Sequence, residues 1–196
     1  MTLRPFVFAI VTAVAGAHLA PIAASAAPWT IDPAHTSVDF SVNHLGFSNV
    51  QGTFREFSAD VDFDPENFAA SKVSFVIQAD SVDTGWAARD EHLRGSDFLD
   101  IENHGEITFQ STSVVETGPT TATVTGDLTI RGKTEPATFD ATLNKLGPNP
   151  FAPDTQVAGM TLTGEVDRTL YGIDFGAPAI GAVLPVTINL EMSPAS

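Results

Sequence analysis

The chain has 196 residues with 24 acidic and 9 basic side chains, no cysteine and a formal charge of −15. This length suits one domain rather than two. So acidic a chain offers no basic face to a phosphate backbone, which excludes nucleic acid as a partner, and anionic lipid headgroups are disfavoured for the same reason. The lack of cysteine excludes disulfides and thiolate nucleophiles or metal ligands.

Residues 1–26 have the order of a secretory signal peptide: a basic start at Arg4, an uncharged apolar stretch over 6–17 and a small-residue exit at 23–27. Pro21 interrupts the apolar stretch before it reaches the roughly 20 residues of a membrane span. Cleavage before Ala27 would remove one Arg and no acid, leaving 8 basic and 24 acidic residues, or a charge of −16. We therefore predict a leader over 1–26, a domain over 27–196 with no transmembrane segment, and a periplasmic location.

From Trp29 onward, apolar and polar residues alternate with period two, which is typical of antiparallel strands that are wet on one face. Turn-forming clusters separate the alternating segments, for example Gly118-Pro119 and Arg131-Gly132-Lys133. The pattern predicts eight strands, at 38–42, 59–63, 73–79, 107–110, 122–130, 137–143, 158–166 and 184–190.

Residues 81–103 break the alternation, and the stretch 86–93 indicates a short helix with Thr84 as its N-cap and Gly95 as its end. This insert falls between the third and fourth predicted strands, where we expect it to lie across one mouth of a barrel. The strands fit either a closed eight-stranded barrel or a two-sheet sandwich, and the alternation alone leaves both open.

The residues expected to point inward mix large aromatic groups with small ones. A barrel whose interior is completely filled favours bulky branched residues, so the small residues indicate an elongated apolar tunnel. A sandwich in which small residues of one sheet face large residues of the other would explain the same set. The small inward residues are Gly52, Ala59, Ala79, Ala122, Gly126, Ala141, Ala158 and Gly164.

The residue types for catalysis do not form a recognisable pattern. His35, His44, His92 and His104 follow no zinc spacing, and the serines lie in no Gly-x-Ser-x-Gly elbow. His44 shares a face with the inward residues of its strand, either as a ligand contact or as an imidazole bonded to the backbone. We expect no catalytic residue, no metal and no cofactor.

One segment, Arg89 to Arg94, concentrates cations in this acidic chain. Local ion pairs of a helix would explain it. The alternative is that Arg89, His92 and Arg94 form a polar collar at the barrel mouth that receives the head of an amphiphile.

Four stretches together resemble the YceI-like family of secreted lipid-binding proteins. They are residues 29–47, residues 89–100, residues 126–134 and residues 167–173, and the similarity spans 29–192. In the fourth stretch, this chain has Thr-Leu-Tyr-Gly where the family usually has Ser-Asp-Phe-Gly. This change would affect the mouth of the barrel or a dimer contact.

The resemblance implies an all-β, eight-stranded antiparallel lipocalin-like barrel that binds a polyisoprenoid or an isoprenoid quinone-like lipid inside, for transport or storage. It also implies that homodimers are common. A redox accessory acting on a bound quinone and a solid structural β-sandwich are the alternatives. The expected ligand-binding residues are Phe40, Val42, His44, Phe75, Ile77, Arg89, His92, Arg94, Phe98, Phe109, Leu128, Phe139 and Met160.

Overall fold

A computed structural model describes residues 27–195. The predicted leader over 1–26 lies outside them. The described residues form eleven strands and one α-helix, with short 3₁₀ turns at Phe68–Ala70, Ala79–Ser81 and Arg168–Tyr171. The elements are β1 Ala27–Ile31, β2 Ser37–His44, β3 Ser48–Phe54, β4 Phe57–Phe63, β5 Lys72–Gln78, β6 Val82–Asp83, α1 Ala87–Arg94, β7 Glu106–Gly118, β8 Thr121–Ile130, β9 Lys133–Asn149, β10 Ala152–Asp167 and β11 Val183–Pro194.

These eleven strands form a closed barrel of eight, because three barrel strands are each built from two pieces. β1 pairs with β4 in nearly the same register as β2 pairs with β3 (Trp29 opposite Val61, Val38 opposite Phe54), so β1–β2 and β3–β4 are two interrupted strands. β5 and β6 likewise continue each other along the β4 and β3 edge. β11 pairs with both β1 and β2 and closes the ring.

The predicted barrel is confirmed, and each of the eight predicted strands lies in a different barrel strand. All pairings are antiparallel between neighbours in the sheet. The inward period is plain in β8, where Ala122, Val124, Gly126 and Leu128 are buried and the residues between them are more exposed. Ala79, predicted as the end of a strand, instead begins a 3₁₀ turn.

The α-helix lies between the third and fourth barrel strands, as predicted, but Thr84 does not cap it. The residue at the cap position is Trp86, which makes no side-chain cap hydrogen bond. Gly95 follows the last helical residue, and its N–H donates to the carbonyl of His92. No helix within residues 27–195 has the length and apolar character needed to cross a membrane.

The two ends of the barrel differ in their packing. One end, which we call the closed end, is filled by a cluster of buried side chains from five strands and the first 3₁₀ turn: Trp29, Val61, Phe63, Phe68, Ala122, Ala158 and Met192. The opposite end, the open end, carries the β2–β3 hairpin, the helical insert over 84–105 and the loop over 168–182. The chain therefore places its irregular segments around one mouth.

Candidate ligand-binding cavity

A cavity of about 360 Å³ occupies the open half of the barrel. Alternate residues of the strands line it, as Leu184, Val186 and Ile188 do on β11, so its wall is the inward face of the pleat. Apolar side chains dominate this wall. The polar and charged lining residues are Asp39, His44, Thr84, Arg89, His92 and Arg168.

Eleven of the thirteen residues predicted to bind ligand line this cavity: Phe40, Val42, His44, Phe75, Ile77, Arg89, His92, Phe98, Phe109, Leu128 and Phe139. Arg94 and Met160 do not. Arg94 instead donates from Nε to the Asp80 carbonyl (2.7 Å) and from Nη2 to the Val82 carbonyl (2.9 Å), which fastens the helix to the end of the third barrel strand. Met160 lines a separate cavity of about 60 Å³ towards the closed end.

The small inward residues do not create the larger cavity, which corrects the tunnel prediction. A Cβ built on Gly52 would lie 2.2 Å from the ring of Phe40, and one on Gly126 would lie 2.5 Å from the ring of Phe109. Gly164 is covered in the same way by Phe139. An aromatic ring from the neighbouring strand packs over each of these three glycines. Ala122 and Ala141 face the smaller cavity.

Thr84 organises the helical insert from its N-terminal side. Its hydroxyl and N–H both donate to the carboxylate of Asp90, which is buried, and the hydroxyl accepts from Nε of Arg89 at 2.6 Å. Nη2 of Arg89 donates to the Thr84 carbonyl at 2.7 Å. The side chain of Arg89 is thus held against the cavity wall by a single residue.

The predicted ligand-binding residues include none from the loop over 168–182, although the fourth resembling stretch, 167–173, overlaps it. The loop supplies Arg168, Ile173, Phe175 and Ile180 to the cavity wall. Arg168 is 6% exposed and donates to four backbone carbonyls of this loop, at 2.6–3.0 Å: those of Ile173, Phe175, Ile180 and Gly181. The available signal was an arginine followed by a non-alternating stretch containing Gly172, Gly176 and Pro178 between two clear strands.

An aromatic cluster joins the insert to this loop at the mouth. The His92 ring packs edge-on against Phe98 (5.0 Å between centroids) and Phe175 (5.3 Å). Nε2 of His92 lies 3.1 Å from a carboxylate oxygen of Asp97. Arg131 donates to carbonyls of both segments, Gly172 at 2.9 Å and Ser96 at 2.7 Å. The insert and the loop therefore act as one connected cover.

His35 does not line the cavity but lies in the break between β1 and β2. Its Nδ1 is 2.9 Å from Asp32 Oδ2, and this hydrogen bond raises the pKa of His35 and lowers the pKa of Asp32. Glu191 lies close to both. The pair closes the turn where the interrupted strand bends, because Asp32 also accepts from the N–H of Ala34.

Comparison with known proteins identifies the sequence relatives. Residues 29–192 match the profile of the YceI-like domain. A UPF0312 protein of Vibrio parahaemolyticus is 39% identical over 183 residues, covering 92% of this chain and 94% of the relative. A UPF0312 protein of Ectopseudomonas mendocina is 43% identical over 145 residues, covering 73% of this chain and 76% of the relative.

Solved structures share the barrel. The YceI protein of Campylobacter jejuni has a TM-score of 0.71 and 26% identity, covering 79% of this chain and 90% of its own. BcnA of Burkholderia cenocepacia has a TM-score of 0.74 and 23% identity, covering 82% and 98%. A polyisoprenoid binding domain from Saccharophagus degradans has a TM-score of 0.64 and 13% identity, covering 86% and 99%. The last two similarities show the fold alone.

Proposed function

This chain belongs to the YceI-like family, and we propose that it binds a long-chain amphiphile, a polyisoprenoid or an isoprenoid quinone-like lipid, inside the barrel. The observation that carries the proposal is the apolar cavity of about 360 Å³, whose two lining arginines, Arg89 and Arg168, lie on the covering segments at the open end. The description of the Saccharophagus degradans domain as polyisoprenoid binding supports the choice of lipid.

The cavity wall provides the free energy of binding. Removing apolar chain from water yields about 0.8 kcal/mol per CH₂ group, so each few carbons that enter add roughly a factor of ten in affinity before the costs of association and ordering. Apolar walls separate tails of similar shape weakly. We therefore expect tight binding with broad tolerance for the tail.

The proposed role is a carrier or store rather than an enzyme. Arg89 and Arg168 both line the cavity and hold the cover in place: Arg89 donates to the hydroxyl and carbonyl of Thr84, and Arg168 donates to backbone carbonyls of the loop over 168–182. These contacts give both arginines a structural role, and no catalytic role is needed to explain their position. Export by the predicted leader would place this carrier in the periplasm, between two membranes that both contain long-chain lipids.

Native mass spectrometry of gently purified protein tests the proposal directly. We expect a co-purifying lipid whose mass is lost on extraction with organic solvent, and whose fragments contain an isoprenoid chain. The proposal would be refuted if the protein purifies without any lipid and also fails to bind farnesol or a longer prenyl alcohol in a fluorescence competition assay.

A variant that fills the cavity locates the site. Val186 lines the cavity, whereas its neighbour Thr187 lies on the other face of β11. We expect Val186→Phe to weaken prenyl alcohol binding by at least about tenfold, the loss for two excluded CH₂ groups, with an unchanged β circular dichroism spectrum. Thr187→Phe is the matched control and should bind as the parent does. Equal binding by both variants would place the lipid elsewhere.

A further inference from the structure

Two arginine side chains reach the cavity without a carboxylate partner. Arg89 and Arg168 both line the wall. Across residues 27–195, the ion pairs within 4.0 Å involve other groups, and neither of these guanidiniums takes part in one. Charges withdrawn from water are normally paired, because burial costs them their hydration.

Both guanidiniums keep hydrogen-bond donors for a ligand. A guanidinium has five N–H groups. Arg168 uses one at Nε, one at Nη1 and two at Nη2 on loop carbonyls, which leaves one Nη1 donor among the contacts of the described chain. Arg89 uses one at Nε and one at Nη2, both on Thr84, which leaves three.

The two side chains belong to the same end of the cavity. Arg168 Nη2 donates to the carbonyl of Phe175, and the ring of Phe175 packs on His92. His92 follows Arg89 by three residues on α1, so the two share a helix face. Contacts therefore link Arg168 through Phe175 to His92, and His92 lies on the same helix face as Arg89 at this mouth.

The carboxylates nearest to Arg168 do not neutralise it by contact. Asp167 accepts hydrogen bonds from the N–H (2.9 Å) and hydroxyl (2.7 Å) of Thr169 instead. Burial lowers the pKa of Arg168, and this effect exceeds the opposing influence of Asp174 and Asp167. The guanidinium stays charged, but its charge is only partly compensated. Asp39, the acidic residue of the lining, accepts from the hydroxyl of Ser37 at 2.6 Å.

We propose that the amphiphile has an anionic head, a phosphate or a carboxylate, which Arg89 and Arg168 hold at the mouth. This inference rests on the proposed function and names the chemical class of the head. Arg89 reaches the buried carboxylate of Asp90 only through the hydroxyl of Thr84, so a bound anion would give both guanidiniums a direct counter-charge. Arg89 keeps enough donors for a bidentate contact with a phosphate or carboxylate, and Arg168 can add one hydrogen bond. The formal charge of −15 opposes the approach of an anion from solution. Once the anion is bound, direct contact with two arginines at the rim of an apolar cavity stabilises it.

Three probes separate the head from the tail: farnesyl phosphate, farnesol and inorganic phosphate, each measured by isothermal titration calorimetry with the full domain. We expect farnesyl phosphate to bind at least about tenfold more tightly than farnesol, the effect of charged hydrogen bonds. In Arg89→Gln the ratio of the farnesyl phosphate affinity to the farnesol affinity should fall towards one, and Arg89→Lys should retain part of the preference. Lys145→Gln removes the same charge from an exposed position on β9 and should leave all three affinities unchanged.

The outcomes distinguish this inference from the proposed function. Equal affinity for farnesol and farnesyl phosphate, or an equal loss of both in folded Arg89→Gln, would overturn the anionic head while keeping a lipid site. Inorganic phosphate binding as tightly as farnesyl phosphate would overturn the lipid as the source of the anion. Failure of both prenyl probes to bind would overturn the proposed function itself. Melting temperatures of the variants verify that each is folded.

Discussion

Three glycines of the barrel wall lie beneath aromatic rings of neighbouring strands. Gly52 sits under Phe40, Gly126 under Phe109 and Gly164 under Phe139. Phe40 and Gly52 are direct partners in the sheet, as are Phe139 and Gly164. A strand glycine leaves a gap in the pleated surface, and a cross-strand ring that covers it recovers the buried area.

Gly52→Ala tests this pairing. The added Cβ would meet the Phe40 ring at 2.2 Å, so the ring must move, and we expect the free energy of unfolding to fall by about 1–3 kcal/mol. Gly159→Ala is the matched control, because no heavy atom lies within 4 Å of its built Cβ, and it should be neutral or stabilise by up to about 1 kcal/mol. Urea unfolding measures both. Equal values for the two variants would contradict the pairing.

These glycines also explain where sequence reasoning about residues failed. Alternation correctly put Gly52, Gly126 and Gly164 on the inward face, but alternation does not say which side chain of the next strand occupies the space above them. That depends on strand register, and register follows from pairings such as Phe40 with Gly52 that the one-dimensional pattern does not contain. The strand residues that line the larger cavity, such as Phe75 and Leu128, could be identified from alternation because lining requires only the inward face and not the identity of the neighbour.

At the scale of elements, the strands were found but not their lengths. β7 extends to Gly118, although only residues 107–110 were predicted as a strand. The prediction was too short because register shifts after Ser111 and Glu116 disturb the alternation beyond that point. β9 was predicted to end at Leu143, and the residues at 147–150, Gly-Pro-Asn-Pro, have the composition of a turn. The structure continues it to Asn149 as a two-stranded arm with β10, where Pro148 is tolerated on an unpaired edge.

Thr84→Val tests the hold on the helical insert. Valine keeps the shape but removes the hydroxyl that donates to Asp90 and accepts from Arg89. We expect a loss of about 1–3 kcal/mol, because a buried carboxylate and a guanidinium lose a partner, and faster amide exchange over 84–94. Thr187→Val, on the outer face of β11, should change neither the free energy of unfolding nor the amide exchange over 84–94. Unaltered exchange in Thr84→Val would show that Arg94 and Arg131 hold the insert without it.

At the scale of the molecule, the closed-end cluster contributes no residue to the larger cavity, whereas the main core cluster, with Phe75, Leu128 and Phe139 among its members, also forms the wall of that cavity. Met192 is 1% exposed, lies in the closed-end cluster and pairs across to Ile31 and Ala158. The larger cavity is lined by other residues of β11. Packing at the closed end can therefore be changed separately from binding.

Met192→Ala tests this division. Truncating a fully buried methionine leaves a void, and we expect it to lower the free energy of unfolding by about 2–5 kcal/mol, measured in urea. Prenyl alcohol affinity of the folded variant should stay within about twofold of the parent, since no lining residue changes. Leu146→Ala, at a 40% exposed position on β9, should affect neither quantity. A parallel loss of affinity in Met192→Ala would mean that the two halves are coupled.

The pairing of β1 with β11 also governs the order in which the chain can fold. These strands begin and end the described domain, so the contacts that close the ring have the greatest sequence separation in the sheet. During synthesis, β1 has no partner on one side until residues 183–194 have been made. A chain cut short before them keeps two unpaired strand edges, the kind of surface that recruits other chains into aggregates.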